Sequence, residues 1–94
     1  MSGAGSKIVK AKVFTNSTQL QADAANYEDI VHSLDNQFPD VSVMFMPAAG
    51  TYANSWILAY GVISVVFVDV NTIRLYNESG TAIAAGNVKV TVVG

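Results

Sequence analysis

Between Val41 and Val68 the chain carries no charged side chain. The run is dense in Val, Ile, Phe, Met, Tyr and Trp, broken by Pro47, Gly50 and Gly61 and by scattered small or polar residues. β-Branched and aromatic runs bounded by Gly and Pro read as strands. Ile63, Val65 and Phe67 alternate with Val62, Val66 and Val68, so apolar side chains point to both faces. Strands of that kind need cover on both sides. Any fold this chain adopts has to supply it.

Composition sharpens the problem. Ninety-four residues fit one domain, with residues 1–6 a small-residue tail and 7–94 the domain. Hydrophobic residues make up 51% and charged residues 13%, the latter about half of the roughly 25% usual in soluble domains. A small globule has much surface relative to core and normally covers it with charge. Five basic and seven acidic side chains are few for that purpose, which implies that part of the surface is covered by something else.

The net charge of −2 and the pI near 4.9 argue against a nucleic-acid partner, since phosphate binders cluster Lys and Arg. Lys7, Lys10 and Lys12 read as a solvated face. With no cysteine, disulfides and thiolate metal sites are excluded, and the absence fits a reducing compartment. Met1–Ser6 lacks the basic-then-apolar pattern of a secretory signal. The longest apolar stretch, Trp56 to Val68, is shorter than the roughly 20 residues of a membrane helix. A protein with no membrane partner, in a virion or the cytoplasm, is expected.

Along the chain, Lys7 to Phe14 alternates like a strand. Thr15-Asn16-Ser17-Thr18 supplies capping side chains, and Thr18 with Gln21 matches a capping box. Leu20, Ala24, Tyr27, Val31 and Leu34 recur at helical spacing, with Asp23, Glu28 and Asp29 off that stripe. Asp35, Asn36 and Pro39 would end the helix. Val41 to Met46 reads as a strand, residues 47–55 as a loop. Trp56–Tyr60 and Val62–Val70 read as strands hinged at Gly61. Asp69–Thr72 reads as a turn, Ile73–Tyr76 as a strand, Asn77–Gly80 as a hairpin turn. Thr81–Ala84 and Val88–Val93 close the series.

The fold class expected is α+β: one mostly antiparallel sheet of five to six strands, with a single amphipathic helix at about residues 18–35 after the first strand. The first two strands could be parallel neighbours or could sit apart with another strand between them. One helix covers one face of three or four strands only. Either the sheet therefore folds over into a sandwich, or its second face is buried against another subunit. The low charge count favours the second.

Candidate chemistry is sparse. His32 is the lone histidine, with Glu28, Asp29 and Asp35 within helical reach. A His–carboxylate pair could serve as general base or metal ligand. A metal site would need further ligands, and no second His or any Cys supplies them, so an exposed helix flank with weak ion pairs is the preferred reading. No serine sits in a nucleophile elbow. Asp69 and Glu78 flank turns, where acidic residues are common. Gly3, Gly5, Gly50 and Gly80 lack phosphate-loop spacing. Asn16-Ser17-Thr18 and Asn77-Glu78-Ser79 match the glycosylation triplet, but capping and turn chemistry account for both asparagines. No catalytic residue, cofactor or metal ligand is assigned.

Met44, Met46, Tyr52, Trp56 and Tyr60 surround the uncharged Pro- and Ala-rich loop. Met and aromatics favour interfaces and fill cores equally well. These five are the candidate interface residues.

Small size, few charges, no cysteine, and Val-, Ala-, Gly-, Asn- and Thr-rich strands ending in residues 79–94 (SGTAIAAGNVKVTVVG) resemble accessory capsid or tail proteins of tailed bacteriophages. The resemblance covers about the last forty residues and includes no diagnostic motif. It implies a decoration or minor virion protein and assigns no residue roles. The expectation is a non-enzymatic structural subunit that packs on copies of itself or on a larger scaffold. The alternative is a small oligomeric ligand-binding or regulatory domain with an intersubunit pocket near Tyr52, Trp56 and Tyr60.

Overall fold

Where helical spacing predicts a helix, the chain runs as a strand. The computed structural model describes residues 10–22 and 27–94. Among them are seven strands and no helix: β1 Ala11–Thr15, β2 Tyr27–Val31, β3 Asp40–Phe45, β4 Ile57–Leu58, β5 Ile63–Asp69, β6 Thr72–Asn77 and β7 Val88–Val93. The α+β expectation is overturned.

The cause lies in two periodicities that coincide. Tyr27, Val31 and Leu34 fit a helical stripe, but Glu28, Ile30 and His32 form a period-two set. The second set wins. Ile30 and His32 are buried and Glu28 half-buried, while Tyr27, Asp29 and Val31 are exposed. Leu20, assigned to the same stripe, forms an isolated bridge with Ile83 instead. Ser33 and Asp35 adopt left-handed φ values of 58° and 53°, which no α-helix accommodates. The expected capping box also gives way. The N–H groups of Ser17 and Thr18 donate to the Glu28 carboxylate at 3.0 and 3.3 Å, and the Thr18 hydroxyl adds a third bond at 3.1 Å. Asp23 and Ala24 of that expected helix, residues 1–6 of the expected tail, and Lys7 to Val9 of the first expected strand lie outside the described residues.

The strands form two antiparallel sheets, of order β1-β7-β3-β4 and β2-β6-β5. β1 and β3 sit apart with β7 between them. The first strand lies beside the last and the second beside the second-to-last, while β3–β4 and β5–β6 pair as sequence neighbours within a sheet. The sheets face one another across a shared core. Val88, Val90 and Val92 of β7 meet Ile30 of β2, Ile63 of β5 and Ile73 and Leu75 of β6, and Leu20, Ala59 and Ile83 complete the cluster. Cover for the apolar strands therefore comes first from the chain itself. The expectation that another subunit, rather than a sandwich, buries the second face is corrected for these inner faces.

Two buried asparagines tie Leu20 and the Thr81–Ala84 segment to one end of the sandwich. Asn16 donates to Thr18 O and Ala84 O at 2.8 and 3.0 Å and accepts from Val88 N–H at 2.9 Å. Asn77 donates to Leu20 O and Thr81 O at 3.0 and 2.7 Å and accepts from Ser79 N–H. The turn at Asn77–Gly80 thus exists, but it does not close a hairpin. The chain leaves the sheet there, and Thr81–Ala84 makes only the Leu20–Ile83 bridge. Both glycosylation triplets place their asparagine inside these networks.

Candidate functional site

The uncharged run from Val41 to Val68 folds onto one flank of the sandwich. It contains most of β3, all of β4 and nearly all of β5. β4 is the edge of the four-stranded sheet and β5 the edge of the three-stranded one. Ala59–Val62 joins them as a tight turn. Ala59 O accepts the N–H groups of Val62 and Ile63 at 2.9 and 3.1 Å, and Gly61 supplies the φ of 77° that the reversal requires.

β4 is short: Ile57 and Leu58 pair with Phe45 and Met44, and Ala59 N–H adds one last bond to Val43 O at 2.9 Å. Beyond it the edge of β3 at Val41 and Ser42 has no neighbouring strand among the described residues. A cleft of about 290 Å³ opens there between the two sheets, lined by Val41, Val43, Tyr60, Ile63 and Val65 among others. On this flank the core-facing side chains of both sheets meet the surface.

β5 runs along the rim of this cleft. Val66, Phe67 and Val68 are exposed, as is Val70 just beyond the strand. Phe38 is 74% exposed and leans edge-on against Phe67, ring centroids 5.7 Å apart. Val66 pairs with Arg74 of β6 and Phe67 with Ile73, and a bulge follows between Phe67 and Asp69. On the side away from β6, no hydrogen bond reaches the backbone of residues 64–68 among the described residues.

The five interface candidates do not gather at one point. Met44 is half-buried on the outer face of its sheet, opposite Leu58 and Lys89. Met46 follows β3, donates its N–H to Asn87 O at 2.8 Å, and lines a separate groove of about 340 Å³ with Pro47, Ala82, Ile83 and Asn87. Tyr60 is 98% exposed at the lip of the β3–β5 cleft. Tyr52 and Trp56 are exposed in the preceding loop and line neither concavity. In the same loop the backbone N–H groups of Asn54 and Ser55 donate to Pro47 O and Tyr52 O at 3.0 and 3.1 Å.

His32 is not on an exposed flank. It is fully buried at the end of β2. Its Nδ1 accepts the Leu34 N–H at 3.1 Å, which puts the proton of a neutral ring on Nε2, and that atom has no hydrogen-bond partner among the described residues. The carboxylates expected beside it work elsewhere. Glu28 holds the Ser17–Thr18 turn. Asp29 accepts from Arg74 Nε at 2.7 Å, and this hydrogen bond lowers the Asp29 pKa. Asp69 accepts from Asn71 N–H, and Glu78 from the Ser64 hydroxyl. Among the described residues no three His, Cys, Asp or Glu side chains converge as a metal site, and no helix is long and apolar enough to cross a membrane.

The β5 edge went unread in the sequence because edge status depends on strand order, which is long-range. A local sign was present. β5 is the longest strand, and Asp69 at its end is its only charge.

No protein-family model, curated protein or solved structure matches this chain.

Proposed function

We propose that the chain is a non-enzymatic structural subunit, which assembles with copies of itself or on a larger scaffold through the flank formed by β3, β4 and β5. One observation carries this reading. The only long charge-free segment of the sequence is collected onto a single side of the fold, where an unpaired strand edge and an open apolar cleft lie together. Contiguous exposed apolar surface of that kind marks interaction sites. The low charge content agrees, because a surface closed off by a partner needs no solvating charge.

Accessory proteins of phage virions belong to this class, and the composition of residues 79–94 favours it over a cytoplasmic assembly. The two-sheet architecture is compatible, since double-sheet folds occur among viral capsid domains, although fold alone assigns no function. A ligand-binding domain centred on Tyr52, Trp56 and Tyr60 has less support, because these residues do not share a cavity.

The test is the native mass of the purified chain by light scattering over a dilution series. A stable dimer or larger assembly is expected. A monomer at every concentration removes self-assembly.

A further inference from the structure

Among the described residues the sandwich has four strand edges, and three of them carry protection. An exposed edge is a template for another strand, and proteins blunt it with charge, brevity or an inward-pointing charged residue. β1 carries Lys12, whose Nζ turns across the sandwich rim to donate to His32 O at 2.7 Å. β2 carries Glu28 on its inner face and Asp29 on its outer face. β4 is two residues long. β5 has seven residues, no Lys and no Pro, and its one charge is terminal. Its sole device is the bulge at Val68, at the strand's far end.

We infer that the free edge of β5 pairs antiparallel with β5 of a second copy, joining two three-stranded sheets into one of six strands across a two-fold axis at Val66. The inference rests on the assembly reading above and names the partner. Self-pairing fits this strand for three reasons. An antiparallel pair of identical strands is self-complementary and closes as a dimer that consumes both β5 edges. Centred on Val66, it sets Val65 opposite Phe67 of the partner subunit, an aromatic–β-branched pair of the favourable kind. It also sets the Asp69 carboxylates far apart, at opposite ends of the ladder, so no like charges meet.

The same register explains the cleft. Val65 and Phe67 point to the inner face of the sheet, as their pairing with the buried Leu75 and Ile73 requires. Phe67 of the partner subunit would then stand beside Val65, at the wall of the 290 Å³ opening. Each copy closes the other's flank.

A single-cysteine experiment tests this, since the chain has no cysteine of its own. Residues facing each other across an antiparallel pair have Cα atoms about 4.5–5.5 Å apart, within disulfide reach. Val66→Cys under mild oxidation should give a covalent dimer, while Tyr27→Cys on the outer face of β2 should not. Val66→Lys, at an exposed position, should keep the folded circular-dichroism spectrum and lower the native mass from dimer to monomer. If the wild type is oligomeric but Val66→Cys does not cross-link and Val66→Lys keeps the oligomer, β5 pairing is overturned and the assembly reading stands. If the wild type is monomeric at all concentrations, β5 pairing is overturned together with self-assembly, and only the scaffold arm of that reading stands.

Discussion

β2 and β5 flank the same central strand, β6, and are treated in opposite ways. On the β2 side the sequence is Tyr-Glu-Asp-Ile-Val, and each charged side chain has an assigned partner: Glu28 the Ser17–Thr18 turn, Asp29 the guanidinium of Arg74. Arg74 also lies 3.9 Å from the centre of the Tyr27 ring, and Tyr27 packs against Tyr76 at 5.7 Å. The outer face is thus closed by a polar–aromatic lattice at one edge. Across β6 it fades into Val66, directly opposite Arg74, and Val68, on a strand whose one charge is the terminal Asp69. One edge is built to stay in water, and the other is left as if for a second strand. The contrast is informative because both edges share one core, so fold stability alone does not account for it.

That shared core gives the largest expected effect. Leu75 lies in register between Glu28 and Val65 and is fully buried. Leu75→Ala should cost about 2–5 kcal/mol by denaturant unfolding and loosen both edges together. Hydrogen exchange that rises on one side only would break the claim of a common support. Next, Glu28→Ala removes the acceptor of three hydrogen bonds to the Ser17–Thr18 turn and should cost about 1–2 kcal/mol. Val66→Thr on the opposite edge should stay within about 0.5 kcal/mol in the monomer. Equal costs at the two sites would erase the asymmetry.

The smallest effect concerns acid. Arg74 holds the Asp29 pKa below its ordinary value, so Asp29 stabilises the fold above about pH 4 and loses that contribution as pH falls through its lower folded value. The pair is partly exposed and screened. The stability gap between wild type and Asp29→Asn should therefore be slight at neutral pH and vanish in acid. A gap that persists unchanged at low pH would show that Asn disturbs packing rather than charge.

What could be read from residues alone follows how local each feature is. β3 and β7 announce themselves by alternation, and the Asp69–Thr72 turn by its side chains, with Asn71 N–H bonding Asp69 Oδ1. The helix was misread because Leu20, Tyr27, Val31 and Leu34 satisfy a helical spacing, while the deciding information lay in β6, some forty-five residues on, which needs β2 as its partner. Propensity yields to such tertiary demands. The same cause moves Glu28 from the polar side of a helix to the inner face of β2. The uncharged run was visible as an anomaly from the start. That it would collect on one flank, with β5 outermost, required the strand order.

The pairing of first strand with last has a mechanical side. β1 and β7 run antiparallel from Ala11 opposite Val93 to Thr15 opposite Lys89, and Gly94 N–H bonds Lys10 O at 2.9 Å. A pull applied through Lys10 and Gly94 therefore acts at one corner, along the inter-strand bonds, which lie perpendicular to the strands. It loads them singly, as a zipper does, and never shears the whole ladder at once. Tension entering at that corner would strip β1 from the sheet rung by rung at low force, whereas load applied across the sandwich face would be shared by both sheets.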